Sequence, residues 1–244
     1  MKYIGVFLAF LGLSASLFAQ TADEEWTLFR GKQDLSGFTS LELHSSPSLV
    51  WSLPTGTRTK SSPVVSGGMI YFGNDKGAVI AAGTDGKLKW KYEGQAAAEA
   101  PPLIFGNMVI IGLNDGTLHS IDKTKGKLVW RYKTESQIAG SANSWSTAKR
   151  SGIIIGSYDY YLHSVDPLTG RLQWKLETMN YVNGTPAVSN NNIVFGGAVP
   201  KKAQKRVHVS IAPPQVWVKR RPSSWGKVSK KCFANRWAVA GRWS

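Results

Sequence analysis

With 244 residues the chain can build one sizeable core. Its single cysteine, Cys232, excludes an internal disulfide and a cysteine-rich metal site. The formal net charge of +15 suggests a nucleic-acid or acidic-surface binder, but its distribution argues otherwise. Seven Lys, five Arg and no acid fall within 199–244, giving +12, whereas 20–198 carries only +2. No nucleic-acid partner is expected of that nearly neutral body.

In chain order, Met1-Lys2 opens an apolar run over 4–18 that closes on the small residue Ala19. This reads as a secretory signal peptide, 1–19, because the run is short for a bilayer span of about 20 apolar residues. It predicts an exported, periplasmic protein with no transmembrane segment in the mature chain. No cysteine follows the run for lipid attachment. A lead-in segment occupies 20–48.

From there the chain repeats itself. Trp51, Trp90, Trp130 and Trp174 are spaced 39, 40 and 44 residues apart. Between them recur a proline-led apolar piece (SSPVV, APPLI, GTPAV) and a second apolar piece ending in glycine (MIYFGN, MVIIGLN, IIIGSY, IVFGG). An Asn/Asp turn follows, then TLHSIDKTKG or YLHSVDPLTG, and the cycle closes on LKW, LVW or LQW. Pieces of four to six residues, rich in Val, Ile and aromatics and bounded by Gly, Asn, Asp or Pro, are strands and tight turns. Outside the leader no window sustains a helical period. Four strands in about 40 residues, repeated, predict an all-β propeller of four-stranded antiparallel blades. The blades fall at about 61–92, 100–133 and 139–177, with a partial one at 184–198, inside a repeat region of 49–198. Residues 49–52 read as the last strand of a blade whose first three strands do not precede it, so the ring is incomplete.

The residues with catalytic side chains recur too. His119 and His163 stand in the same slot of successive blades, each followed by Ser and, three residues on, by Asp122 or Asp166. A triad is needed once per site, whereas a slot repeated around a ring is architecture, and strand alternation separates the His and Ser faces. Asp75, Asp115 and Asp159 recur in the turn before the third strand, where turn chemistry explains them. No calcium loop, H-E-x-x-H, P-loop or dinucleotide fingerprint is present. The sequon at Asn183-Gly184-Thr185 is of a kind common by chance. No catalytic, cofactor-binding or metal residue is assigned.

The phrase D-x-x-T-G-K/R-x-x-W at 166–174, varied to Asp-Lys-Thr-Lys-Gly at 122–126, follows L-H-S-I/V-D and resembles the quinoprotein-like β-propeller repeat. That repeat is shared by PQQ-type dehydrogenases and BamB-like outer-membrane assembly factors. The opening WTLFRGKQDLSGFTS (26–40) resembles the lead-in common before such domains. The resemblance implies that the closing tryptophans Trp90, Trp130 and Trp174 pack between adjacent blades; Asp122, Asp166, Gly126 and Gly170, with Trp51, are further structural positions of the repeat. It also implies a binding scaffold that meets other envelope proteins. Dehydrogenases of this fold need a whole ring, a calcium site and a catalytic Asp, and many carry paired cysteines, so no enzyme activity and no cofactor are expected. Runner-up readings are a fragment of such a dehydrogenase and the ligand-sensing part of a larger receptor. The tail, 199–244, has four tryptophans, no acid and no period. It reads first as out-of-frame or disordered sequence, then as a decayed blade in which RVHVSI and QVWVK echo the repeat.

Overall fold

The computed structural model describes residues 25–42, 45–178, 180–190 and 192–196, and the backbone of two strands at 208–210 and 215–219. The signal peptide at 1–19, Cys232 and most of the tail lie outside these residues. The described strands form four four-stranded sheets. The first is β1 (Val64–Ser66), β2 (Met69–Gly73), β3 (Ala78–Gly83) and β4 (Leu88–Glu93). The second is β5 (Leu103–Phe105), β6 (Met108–Gly112), β7 (Thr117–Asp122) and β8 (Leu128–Lys133). The third is β9 (Asn143–Ser146), β10 (Ser151–Gly156), β11 (Tyr161–Val165) and β12 (Leu172–Glu177). Each of these three is an antiparallel meander in sequence order.

Composition explains the layering. The middle strands are buried on both faces for most of their length: β3 is a continuous apolar run, AVIAAG, and β7 (TLHSID) and β11 (YLHSV) bury a His-Ser pair among apolar residues. The last strands alternate, with β4 (LKWKYE) and β12 (LQWKLE) burying every second residue in part and leaving the rest in water. A one-residue register shift recurs at the same place, between Ala81 and Ala82, Ser120 and Ile121, and Ser164 and Val165. The extra residue is on the fourth strand each time (Lys89, Val129, Gln173), and such a bulge bends the start of that strand as it leaves the turn.

The core lies between neighbouring sheets rather than inside any one of them. Val64, Tyr71 and Val79 of the first sheet meet Val109, Ile111 and Ile121 of the second. Leu103, Ile110 and Leu118 meet Ile153, Ile155 and Val165 of the third. Trp145, Ile154 and Leu162 meet Val182, Ile193 and Phe195. A unit that buries its apolar face only against a neighbour is the logic of blade stacking. The protein is an all-β, incomplete propeller.

Three elements differ from the sequence-based expectation. Residues 49–52 form no strand: Leu49 and Val50 are 85% exposed, and only the ring of Trp51 docks. A last strand needs a third strand to pair with, and none of the described strands pairs with it. The third blade's first strand is β9 and carries no proline: Ala142 stands in the register position held by Pro63, Pro102 and Pro186, and Asn143 is level with Val64, Leu103 and Ala187 of the other sheets. The fourth sheet, β13 (Ala187–Ser189), β14 (Asn192–Gly196), β15 (His208–Ser210) and β16 (Gln215–Lys219), has the order β13-β14-β16-β15. There β16 runs parallel to β14. A parallel pair needs a connection of a dozen or more residues, and the chain between Gly196 and Gln215 is long enough.

Candidate functional site: the seams between sheets and the segment that crosses them

The tryptophans mark the seams. Trp51 Nε1 donates to Thr84 O at 2.8 Å, Trp90 Nε1 to Lys123 O at 2.9 Å and Trp130 Nε1 to Pro167 O at 2.9 Å. Each acceptor lies in the turn between third and fourth strands of the following sheet. Beneath each ring lies a glycine at positive φ: Gly86 (78°), Gly126 (66°) and Gly170 (68°). A Cβ there would stand 2.7, 2.7 and 2.5 Å from the ring of Trp51, Trp90 and Trp130 respectively. Both the backbone conformation and the contact therefore demand glycine. Trp174 packs against the third core cluster.

Asp122 and Asp166 hold these turns in shape. Asp122 Oδ1 accepts from Thr124 N, Thr124 Oγ1 and Lys125 N at 2.7–2.9 Å, and Asp166 Oδ1 from Leu168 N, Thr169 N and Thr169 Oγ1 at 2.9–3.0 Å. Hydrogen bonds from Thr124 hold the pKa of Asp122 below the ordinary carboxylate range. Neither carboxylate bonds to the histidine three residues before it.

The histidines instead cross the seam in the other direction. Tyr92 OH lies 3.0 Å from His119 Nδ1, and Tyr132 OH lies 2.9 Å from His163 Nδ1. His163 Nε2 lies 3.0 Å from Asp159 Oδ2. An ionised carboxylate only accepts, so Nε2 carries the proton and Nδ1 accepts from the tyrosine hydroxyl. Burial lowers the pKa of both histidines below the ordinary 6.5, although Asp115 and Asp159 pull the other way. Burial raises those of Tyr92 and Tyr132. Asp159 thus does more than shape its turn, where it also accepts from Tyr161 N at 3.0 Å. The pair was readable as an i, i+4 Asp/His spacing across a tight turn. Asp75 has no such partner: register places Lys76, not Asp75, level with Asp115 and Asp159, and Ile80 level with the histidines.

The lead-in, read from sequence as lying outside the blades, runs along their first strands. Trp26 exchanges two backbone hydrogen bonds with Val65, both 2.9 Å, and Thr27 O accepts from Ile104 N at 2.7 Å. Leu28 is buried in the core between the second and third sheets. Gln33 Nε2 donates to Ser144 O and Oγ at 3.0 and 2.8 Å, and Gln33 O accepts from Val188 N at 2.7 Å. Buried Asn143 completes the link, its Nδ2 donating to Gln33 O and Pro186 O, both at 2.8 Å. Val65, Ile104 and Val188 hold equivalent positions in their sheets, so the segment touches the innermost strand of all four. Sequence periodicity was silent about this contact, because the lead-in belongs to no repeat.

Chemically, these groups hold sheets together. Among the described residues no group of three or more His, Cys, Asp or Glu is placed to hold a metal ion. A cleft of about 350 Å³ opens between the first two sheets, lined by Met69, Tyr71, Lys89, Trp90 and Lys123. Lys123 there already donates to Ser66 Oγ at 3.2 Å.

The profile of a family described as "Outer membrane protein assembly factor BamB" matches residues 42–230. The BamB of Nitrosomonas eutropha is 27% identical over 85 residues, 35% of this chain and 21% of that one. The BamB of Burkholderia pseudomallei is 29% identical over 87 residues, 36% of this chain and 23% of that one. Among solved structures, the quinohemoprotein alcohol dehydrogenase of Comamonas testosteroni superposes with a TM-score of 0.54 at 21% identity. The match covers 63% of this chain and 27% of the enzyme, and shows the fold alone. The matched stretch spans less than a quarter of the length of either BamB relative. With the profile covering most of its residues and the tryptophan seams repeated sheet after sheet, the chain belongs to the BamB-like family of PQQ-type β-propeller repeat proteins.

Proposed function

We propose that the protein is a non-enzymatic scaffold of the cell envelope, exported and periplasmic, which binds other envelope proteins. The observation that supports this most is the match of 42–230 to the BamB assembly-factor family. The seam geometry agrees with it. The repeated histidines bond to tyrosines of the preceding sheet, and the repeated Asp122 and Asp166 are occupied by turn amides and hydroxyls. Side chains engaged in holding blades together are not free for proton transfer on a substrate.

The test is fractionation and affinity co-purification of the full chain expressed in a Gram-negative host, with a defined readout of outer-membrane protein assembly. Recovery from the periplasmic fraction, with partial rescue of a strain lacking its own BamB, is the expected result. Retention in the cytoplasm without rescue would sink the reading.

A further inference from the structure

One corner of the molecule breaks the repeat without helping it. In the turn between the second and third strands of the third sheet, Tyr158 and Tyr160 stand where the second sheet has Asn114 and Gly116, and the first has Asp75 and Gly77. In the link to the fourth sheet Tyr181 stands where the earlier links have Gln137 and Ala97. Three tyrosines are thus gathered at positions that the same template fills elsewhere with small or polar residues. They stack: the centroids of Tyr158 and Tyr181 are 5.0 Å apart at 29°, and those of Tyr160 and Tyr181 are 5.4 Å apart at 20°.

Tyr160 is held at φ 73°, against 88° and 85° for Gly77 and Gly116. A bulky residue in the left-handed region is strained, and such strain persists where something else holds or requires it. The strain brings no burial, since Tyr160 and Tyr181 remain 45% and 40% exposed. None of the three hydroxyls makes a hydrogen bond to another described residue. Rigid, amphipathic and half-exposed tyrosines are the residue type that anchors protein interfaces.

Charge narrows the partner. Two exposed glutamates are tied to this turn by their backbone: Glu135 N donates to Asp159 Oδ2 at 3.1 Å, and Glu177 pairs with Tyr161. Neither carboxylate enters an ion pair among the described residues. On the adjoining strand Lys175 Nζ already sits 4.5 Å above the Tyr161 ring, so an aromatic face here does take a cation. From this juxtaposition we propose that the Tyr158–Tyr181–Tyr160 stack, with Glu135 and Glu177, is a docking face for an arginine-bearing segment of a partner protein. A guanidinium stacks flat on a tyrosine ring while its N–H fork meets a carboxylate. The proposal rests on the scaffold reading above and names the surface through which it acts.

The test uses the full chain and a blocked Gly-Ser peptide carrying two arginines, titrated by calorimetry or NMR. The control peptides replace Arg by Gln or by Pro, and a neutral oligosaccharide is titrated alongside. Wild type should bind the Arg peptide about tenfold more tightly than the Gln peptide. Tyr160→Gly and the double change Glu135→Gln/Glu177→Gln should each remove most of that preference. Tyr160→Gly should at the same time raise Tm by about 2–4 °C, because glycine relieves the strained turn. Equal binding of the Gln peptide, preferential binding of the Pro peptide or oligosaccharide, or a Tyr160→Gly variant that keeps full affinity would overturn the proposal. So would a fall in Tm for Tyr160→Gly, which would make the stack a structural brace; Tyr181→Ala repeats the binding test without altering that turn. Rescue of the BamB-deficient strain without Arg-peptide binding would sink the docking face while leaving the scaffold reading intact.

Discussion

Ser120 and Ser164 occupy the same slot of successive sheets, are equally buried, and have different surroundings. Ser164 Oγ accepts from Trp145 Nε1 at 2.9 Å and donates to Gln173 Oε1 at 3.0 Å. The second sheet has Phe105 and Val129 at those two places, so Ser120 Oγ is left without a hydrogen bond. Ser164→Ala should therefore cost roughly 1–3 kcal/mol by orphaning the buried Trp145 N–H. Ser120→Ala should be neutral or slightly stabilising, and urea unfolding of both variants compares them directly. The seam histidines predict a pH dependence of known sign. Both have pKa values lowered by burial, so below the ordinary value of 6.5 the unfolded chain binds protons that the folded chain excludes. Their contribution to stability is complete above about pH 6.5 and is lost progressively as pH falls from there through the lowered folded values. Urea midpoints at pH 7.5 and pH 5 should show that loss. Replacing the second seam's pair by His119→Ile with Tyr92→Phe, which copies the isoleucine that the first sheet carries at Ile80, should remove the share of it that His119 contributes and leave that of His163.

At the scale of the element, the unit is the third-to-fourth-strand turn with the tryptophan of the preceding sheet resting on it. Its parts are coupled: the bulge aims the chain, the aspartate closes the turn, and the glycine opens room for the ring. Gly170→Ala meets two obstacles, a φ of 68° and a Cβ 2.5 Å from the Trp130 ring. It should destabilise by roughly 2–4 kcal/mol, combining left-handed strain with displacement of a packed ring. Trp130→Phe, which keeps most of the packing but leaves Pro167 O without its donor, should cost about 1–2 kcal/mol. A loss from Gly170→Ala no greater than that from Gly68→Ala, at a positive-φ site with open space around it, would show that ring contact contributes nothing. The turn was legible in the sequence because Asp, Gly and Trp recur at fixed spacing. The histidine's partner was marked only by an i, i+4 spacing that lies outside the repeat phrase. The nearest aspartate in the repeat phrase lies beyond the bulge, while the true partner sits across a turn whose third residue is tyrosine instead of glycine.

At the scale of the whole molecule, four sheets are stacked and crossed on their inner edge by one extended segment. Each of the four innermost strands gives that segment at least one backbone or side-chain hydrogen bond, so it ties together sheets that otherwise meet only their neighbours. Gln33→Ala removes two bonds to Ser144 and should cost roughly 1–2 kcal/mol. Because the segment joins sheets distant in sequence, the variant should also broaden the unfolding transition, as independent sheets begin to melt separately. Calorimetry, comparing the calorimetric and van't Hoff enthalpies, detects that loss of cooperativity. Among the described residues the sheets form an open arc, and sheet edges left unpaired in such an arc are a route to self-association. Concentration-dependent sedimentation is the expected behaviour of the full chain.

The repeat and the strand order of the first three sheets follow from the sequence alone, because they are local; the packing of the tryptophans between blades is implied by the family resemblance, and the glycine under each ring comes from the structure. A strand of five residues, a tight turn and a ring placed 33 to 37 residues before its acceptor recur at nearly constant spacing, and constant spacing is visible without coordinates. Only the tertiary structure decided the rest: the lead-in across four sheets, the bonds from Asn143 to Gln33 and Pro186, the missing strand at 49–52 and the gathering of three tyrosines at one turn. Those contacts join residues up to 111 positions apart or depend on which neighbour is present. No period in a sequence encodes the distance between segments that meet only after the sheets have stacked.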